Sequence, residues 1–134
     1  MEDKYLKIDN IDPKYWGRSG WIFLNSIALT YKPEHRNKYK LLIKQLPDIL
    51  PCRSCGENLR KKINELDDAL ESKEKLLIYL RDIRNEIYKE QNRRQKIKSL
   101  EENINEIFEE KSGIYNNIIM GISIIIIVIL LYNR

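Results

Sequence analysis

Residues 47–59 read PDILPCRSCGENL, and this segment separates the first two helices that the sequence predicts from the next two. Pro47 and Pro51 interrupt a helical pattern, so we expect one helix to end there and another to begin at the cysteines. Cys52 and Cys55 are the two cysteines of the chain. Their C-x-x-C spacing allows a disulfide across the first turn of a helix, where the N–H groups and the helix dipole stabilise a thiolate. The pair therefore favours redox chemistry over a structural role.

The sequence on both sides of this segment has the periodicity of helices. The 134 residues include only five glycines and four prolines, so long stretches contain no helix breaker. Asp12 and Pro13 predict a helix start, with Asp12 as the N-cap. The first helix is expected to extend to Tyr31, the second to cover residues 34–49, the third to end near Leu66, and the fourth to begin near Ser72.

Apolar residues at steps of three and four mark the buried face of three of these helices. They are Trp16, Gly20, Phe23, Leu24, Ile27 and Tyr31 in the first helix, Tyr39, Leu42, Ile43 and Leu46 in the second, and Leu76, Leu77, Leu80, Ile83 and Ile87 in the fourth. The pattern predicts an all-α fold, a small four-helix bundle over residues 13–93 that follows a polar N-terminal arm, residues 1–12.

The chain after the bundle is polar and then strongly apolar. Residues 94–113 are expected to form a polar stalk or linker, and the wider segment 89–111 fits a helical stalk, a short coiled coil or a fifth helix docked on the bundle. The nineteen residues 114–132 contain no charge, which is near the lower limit for a helix that crosses a bilayer. We expect a transmembrane helix there.

Two residues follow this apolar segment, so we expect a tail anchor with the helical domain in the cytosol. Because the cytosol keeps thiols reduced, a C-x-x-C pair there is expected to be catalytic or metal-binding. A zinc site is disfavoured, since two thiolates supply half a site and His35 is distant in sequence, unless a dimer shares the site. Two buried, unreactive cysteines are the other alternative.

The charge distribution argues against a nucleic-acid binder. The net charge is +4, from 24 basic and 20 acidic residues. The densest basic group contains Arg93, Arg94, Lys96 and Lys98, and five glutamates follow it between Glu101 and Glu110. A nucleic-acid-binding surface carries a more one-sided basic stripe, so this group is expected to be a solvated helix face.

Three blocks of sequence resemble the Erv/ALR family of FAD-linked sulfhydryl oxidases, most closely its short viral members. Residues 16–25, WGRSGWIFLN, followed by Ala28, Tyr31 and Pro33, resemble the W-G-R-x-x-W-x-x-L-H…A…Y-x-P helix of the family. Residues 52–59, CRSCGENL, are similar to the C-x-x-C-x-x-H-F segment, and residues 84–88, RNEIY, lie in the place of H-N-x-V-N. The resemblance covers residues 13–93.

This resemblance implies an FAD-dependent thiol oxidase. Cys52 would react with the substrate thiol, and Cys55 would pass the electrons to the flavin and on to oxygen, giving hydrogen peroxide. The residues that the family pattern implies around the flavin are Arg18, Trp21, Asn25, Tyr31, Asn58, Arg84, Asn85 and Arg93. Arg84 or Arg93 could neutralise a phosphate of the cofactor, although Arg84 could instead be a solvated charge on the fourth helix. Trp16 and Trp21 could instead be ordinary aromatic residues of the hydrophobic core.

Four positions depart from the family pattern. Asn25, Asn58 and Arg84 stand where the family has histidines, and Tyr88 stands where it has an asparagine. Asparagine keeps a hydrogen bond that histidine makes, but neither its ring stacking nor its charge. The fold and the redox pair therefore carry over more directly than the flavin contacts.

The resemblance also bears on partners and location. The family's additional shuttle cysteines are absent, which implies an external dithiol partner, either a thioredoxin-like protein or another C-x-x-C relay protein. Dimers are usual for the family, so a homodimer is expected, and the viral likeness implies a viral assembly membrane or the virion. Two other functions fit the same residues: a flavin-free thiol–disulfide exchange protein, and a catalytically inactive membrane-anchored interaction protein.

Overall fold

The computed structural model describes residues 7–109, apart from the side chain of Gln95. This part of the chain is helical and contains no β-strand, which confirms the all-α expectation. The helices are α1 (Pro13–Leu29), α2 (Arg36–Ile49), α3 (Arg53–Lys62), α4 (Leu66–Ala69), α5 (Lys73–Glu90) and α6, which covers residues 100–109. Two short 3-10 helices, Pro33–His35 and Arg94–Lys96, connect α1 to α2 and α5 to α6.

Two of the predicted helix starts are confirmed. The Asp12 carboxylate accepts a hydrogen bond from the Lys14 N–H at 2.8 Å, and Pro13 lies in the first turn of α1. The Ser72 hydroxyl accepts from the Lys75 N–H at 3.1 Å at the start of α5. Each cap satisfies an N–H group that has no partner inside its own helix.

One of the predicted helix ends is confirmed and one is wrong. Helix α2 ends at Ile49, as expected, and continues through Pro47 to reach it. Proline removes a single N–H donor, and the ladder resumes at once, because the Leu50 N–H donates to the Leu46 carbonyl at 3.0 Å. Helix α3 ends at Lys62 rather than near Leu66, since Glu65 takes a left-handed backbone conformation with φ of 53°.

The hydrophobic core occupies one end of the bundle. It combines the last part of α1 with α2, α4 and the first half of α5, through Ala28, Tyr31, Ile43, Leu66, Leu70, Leu76, Leu77 and Leu80. Helix α1 packs mainly on α5, and α2 packs on α3. Phe23, expected on the buried face of α1, is 62% exposed. The buried residues of α1 are Asn25 and Ala28, so its first half lies outside the core and leaves room for a cavity.

Helix α6 is docked on the bundle rather than extended away from it as a free stalk. Its Asn103 and Glu106 are buried and contact α1 and α5. The basic group that precedes it was expected to form one solvated helix face, and that expectation is wrong. Arg94 and Lys96 belong to a 3-10 turn, and Lys98 pairs with Glu106 at 3.0 Å.

The predicted membrane segment, residues 114–132, lies outside the described residues. Within residues 7–109, no helix is both long and apolar enough to cross a bilayer.

Candidate active site

The two cysteines form a disulfide at the start of α3, with their Cα atoms 5.2 Å apart. Cys52 is the N-cap residue of this helix, and its Sγ accepts a hydrogen bond from the Cys55 N–H at 3.2 Å. The first turn of α3 contains no acidic residue. When the disulfide is reduced, the unpaired N–H groups and the dipole at this helix end favour a thiolate on Cys52.

The two sulfur-bearing residues have different surroundings. Cys52 is only 4% exposed, whereas Cys55 is half-buried and lines a cavity. The end of the N-terminal arm lies against the redox segment on the Cys52 side. The Ile11 N–H donates to the Pro51 carbonyl at 2.6 Å, and the Asn10 side chain accepts from the Arg53 N–H at 3.3 Å.

The cavity has a volume of about 360 Å³ and lies between the first half of α1, the start of α3 and the end of α5. Four aromatic side chains line it: Trp16, Trp21, Phe23 and Tyr88. Four cations also line it: Lys14, Arg18, Arg93 and Lys96. None of the described residues on its wall carries a carboxylate. The cavity therefore offers flat apolar surfaces and positive charge beside one sulfur of the disulfide.

Local contacts fix two of the aromatic side chains that line the cavity, Trp16 and Tyr88. The Trp16 indole N–H donates to the Ile11 carbonyl at 3.0 Å, and Gly20 leaves space for the ring, because a Cβ there would lie 3.3 Å from Trp16 Cε3. Tyr88 has two cations near its ring: the Arg84 guanidinium is 5.2 Å from the ring centroid, and Lys96 Nζ is 6.0 Å from it. These cation–π contacts hold the tyrosine at the cavity.

The structure brings half of the expected flavin residues to this cavity. Arg18, Trp21, Asn58 and Arg93 line it together with Cys55, and Asn25, Tyr31, Arg84 and Asn85 are not on its wall. Their roles toward a cofactor stay predictions.

The four remaining residues make internal contacts. Asn25 Nδ2 donates to the Trp21 carbonyl at 2.8 Å, and the Tyr31 hydroxyl donates to the Leu70 carbonyl in the core. The Asn85 side chain bonds the backbone of Lys98 in both directions, at 2.8 and 3.0 Å.

Arg84 is buried, so the alternative of a solvated charge on the fourth bundle helix is wrong. Its Nη2 lies 3.0 Å from Glu106 Oε2, and its Nη1 donates to Asn103 Oδ1. Sequence reasoning missed both partners on α6. Their spacing of three residues places them on one helix face, but polar side chains give no signal of burial.

Comparisons with known proteins find relatives of this chain. The model of the Erv1/Alr family matches residues 18–109. The chain is 32% identical over 89 residues to the mitochondrial FAD-linked sulfhydryl oxidase of Saccharomyces cerevisiae, covering 63% of this chain and 47% of that protein. It is 30% identical over 82 residues to a probable FAD-linked sulfhydryl oxidase of Acanthamoeba polyphaga mimivirus, covering 56% of this chain and 57% of the relative.

The chain thus spans about half the length of the curated relatives it matches. No solved structure matches it significantly. The matched region extends from the first half of α1, through the disulfide, to the end of α6 as described. The family model covers more than half of the sequence, and the resemblance read from the motifs is confirmed: the chain belongs to the Erv1/Alr family.

Proposed function

We propose that this protein is an FAD-dependent thiol oxidase that forms disulfides in partner proteins. One observation carries the proposal: a sulfur-bearing residue of the C-x-x-C disulfide, Cys55, lines an aromatic cavity with four cations on its wall. Membership of the Erv1/Alr family supports it, as does similarity to one known and one probable FAD-linked sulfhydryl oxidase.

In the proposed exchange, Cys52 at the start of α3 reacts with the substrate and Cys55 faces the cavity. A substrate thiolate attacks Cys52 Sγ, the Cys52–Cys55 bond breaks, and Cys55 leaves as a thiolate facing the cavity. A second substrate thiolate then attacks the substrate sulfur of the mixed disulfide and releases the Cys52 thiolate. The substrate gains a disulfide, and the enzyme holds two reduced cysteines. The N-terminus of α3 stabilises the Cys52 thiolate as a leaving group.

The residues of the cavity fit a flavin dinucleotide. Such a ligand combines a planar ring system with two phosphates, and the wall combines aromatic side chains with cations and lacks carboxylates among its described members. Trp16, Trp21 and Tyr88 would hold the ring, and Arg18 and Arg93 would hold the phosphates. When bound, a flavin supplies a two-electron acceptor that returns the electrons to oxygen as hydrogen peroxide. The half-buried side chain of Cys55 is the donor sulfur on this wall.

The partner is a protein dithiol. A C-x-x-C relay protein or a thioredoxin-like protein fits, because the chain contains no cysteine beyond the redox pair to relay electrons internally. Molecular oxygen is the final acceptor in this proposal.

An absorbance spectrum of the purified protein, followed by addition of dithiothreitol in air, tests the proposal. We expect a flavin band at about 450 nm that bleaches with dithiothreitol and recovers as oxygen is consumed. Cys55→Ser should keep the band and lose the bleaching, and Glu57→Gln, at an exposed site on the same helix, should keep both. A folded protein that stays colourless after incubation with FAD would refute the oxidase assignment.

A second candidate is a flavin-free thiol–disulfide exchange protein. The Cys55 N–H···Sγ contact at Cys52 favours it, since this contact promotes exchange without any cofactor. A colourless protein that traps partner proteins as mixed disulfides, and loses them in Cys52→Ser, would establish this function. A colourless protein that traps none would indicate an interaction protein without catalysis.

We also propose that residues 114–132 attach the protein to a membrane, with the helical domain on the cytosolic side. Nineteen residues without a charge support the attachment. The mimivirus relative makes a viral assembly membrane or virion a reasonable location. Cell fractionation tests the attachment, and protease protection tests its side: a helical domain protected inside sealed microsomes would refute the cytosolic orientation.

A further inference from the structure

Three cations from three different parts of the chain converge on one carboxylate of helix α6. The Glu106 carboxylate lies 3.0 Å from Arg18 Nε, 3.0 Å from Arg84 Nη2 and 3.0 Å from Lys98 Nζ. The Glu106 side chain is 5% exposed and that of Arg84 is 3% exposed. The Arg84–Glu106 contact is shielded from water and strongly coupled, because little solvent screens its charges. The Arg18 side chain is 54% exposed, so only the carboxylate of that pair is buried.

Glu106 is ionised in this cluster. Burial acts to raise the pKa of its carboxyl, but the hydrogen bond from Lys98 and the charges of Arg84 and Lys98 outweigh burial. The pKa of Glu106 therefore lies below its ordinary value. At neutral pH the Glu106 side chain is therefore a carboxylate anion that attracts all three cations.

Glu106 does not line the cavity, but two of its partners lead to the cavity wall. Arg18 lines the cavity itself. Arg84 lies over the ring of Tyr88, which also lines it. Asn103, one turn before Glu106, adds a second contact to Arg84 and donates to Asn25 at 2.8 Å. The polar face of α6 thus supports one cationic wall residue and one aromatic wall residue from behind.

We infer that Glu106 is a positioning residue of the cavity, holding Arg18 at the wall directly and Tyr88 through Arg84. Side chains fixed before a ligand arrives lose less conformational entropy when it binds. An anionic, aromatic ligand is therefore retained more tightly while α6 is docked. In the proposed function that ligand is FAD, and to this extent the inference rests on the proposed function.

A double-mutant cycle on FAD binding tests the inference. FAD is titrated into the FAD-free full-length protein and followed by flavin fluorescence, for the wild type, Glu106→Gln, Arg18→Gln and the double variant. We expect each single change to raise the dissociation constant roughly tenfold, and the double change to raise it by less than the product of the two, because only the route through Arg84 and Tyr88 is left for Glu106 to act on. Additive effects, or an unchanged constant in Glu106→Gln, would overturn the inference.

Two further variants separate positioning from folding. Glu109→Gln removes the same charge from an exposed site on the same helix and should leave the dissociation constant unchanged. Glu106→Gln leaves Arg84 as a buried cation without its carboxylate and risks unfolding. Glu106→Asp keeps a negative charge within the cluster but shortens the reach of the carboxylate to its cations, Arg18 among them. We expect it to fold, with a melting temperature close to that of the wild type, and to weaken FAD binding severalfold; wild-type affinity in this variant would contradict the inference.

Hydrogen exchange at Arg18, measured without flavin, tests the positioning role independently of the proposed function. The Arg18 Nε–H group donates to Glu106 Oε1 at 3.0 Å, so its NMR signal should exchange slowly with water in the FAD-free protein. Glu106→Asp should speed this exchange and Glu109→Gln should not. A wild-type protein that binds no FAD counts against the proposed function, while unchanged Arg18 exchange in Glu106→Asp counts against the positioning role.

Discussion

Asn103 and Asn25 join α6 to α1 across 78 positions of sequence: Asn103 Nδ2 donates to Asn25 Oδ1 at 2.8 Å. Both residues are only 1% exposed. The remaining groups are also engaged, since Asn25 Nδ2 donates to the Trp21 carbonyl and Asn103 Oδ1 accepts from Arg84. The result is a continuous buried polar network that attaches α6 to the two long helices beside the cavity.

We expect Asn103→Ala to destabilise the protein by about 1–3 kcal/mol, because it leaves Asn25 Oδ1 and one Arg84 N–H buried without these partners. Urea unfolding followed by far-ultraviolet circular dichroism measures the change. Asn105→Ala, an exposed site on the same helix, is the matched control and should cost less than about 0.5 kcal/mol. Equal costs for the two variants would show that the buried network does not hold α6.

The parts of this fold that depend on local chemistry could be predicted from the sequence. Asp12 and Ser72 cap α1 and α5 because their side chains reach N–H groups two or three residues away. The stripe from Leu76 to Ile83 faces the core because a 3.6-residue period shows in the sequence itself. The position of the C-x-x-C pair at a helix start could also be predicted, because it depends on residues that are neighbours in sequence.

The parts that depend on distant partners could not be predicted. Arg84 looks like a solvated charge or a phosphate ligand until α6 supplies Asn103 and Glu106 from about twenty residues away. Only the folded chain places these groups together, so propensity alone gives the wrong environment.

Gly56 of α3 packs directly against the backbone of Pro47 in α2. A Cβ at this position would lie 2.1 Å from the carbonyl oxygen of Pro47, which is backbone and cannot rotate away. We expect Gly56→Ala to force the two helices apart and to destabilise the protein by about 3 kcal/mol, at the upper end of overpacking costs. Urea unfolding of the oxidised protein measures the loss.

Gly17→Ala is the matched control for this change. Its Cβ would meet Pro13 Cβ at 3.6 Å, an ordinary contact, and alanine favours the helix. We expect a gain of roughly 0.5–1 kcal/mol. A Gly56→Ala protein as stable as Gly17→Ala would mean that α2 and α3 do not pack this closely.

The N-terminal arm should slow access to the disulfide. Cys52 is almost fully buried, and Asn10 and Ile11 bond the segments on either side of it. Asn10→Ala removes one exposed hydrogen bond, which contributes about 1 kcal/mol. The fraction of molecules in which the arm has left the disulfide should therefore rise roughly two- to fivefold, and the rate of anaerobic reduction by dithiothreitol should rise with it. Alkylation and mass spectrometry follow the reduction, with the exposed Asp9→Ala as control. Identical rates in both variants would exclude the arm as a barrier.

Tyr79 has a buried hydroxyl on α5 with no hydrogen-bond partner among the described residues. Burial, with a smaller contribution from the charge of Glu65, raises the pKa of Tyr79 from its ordinary 10.0 to about 12. The folded protein therefore favours the protonated phenol more strongly than the unfolded chain does.

This shift predicts a loss of stability at alkaline pH that depends on one hydroxyl. Between pH 10 and about 12 the unfolded tyrosine ionises while the folded one stays protonated, so the free energy of unfolding falls as pH rises through this window. We expect the free energy of unfolding of Tyr79→Phe to fall less steeply with pH in this window. At pH 7 it should equal that of the wild type or exceed it by up to about 1 kcal/mol, since the change removes an unpaired buried hydroxyl. Urea unfolding at pH 7, 9, 10 and 11 measures both effects. Tyr15→Phe, at an exposed site, is the control and should leave the dependence of stability on pH unchanged. If Tyr79→Phe also leaves it unchanged, the Tyr79 hydroxyl ionises alike in the folded and unfolded chains.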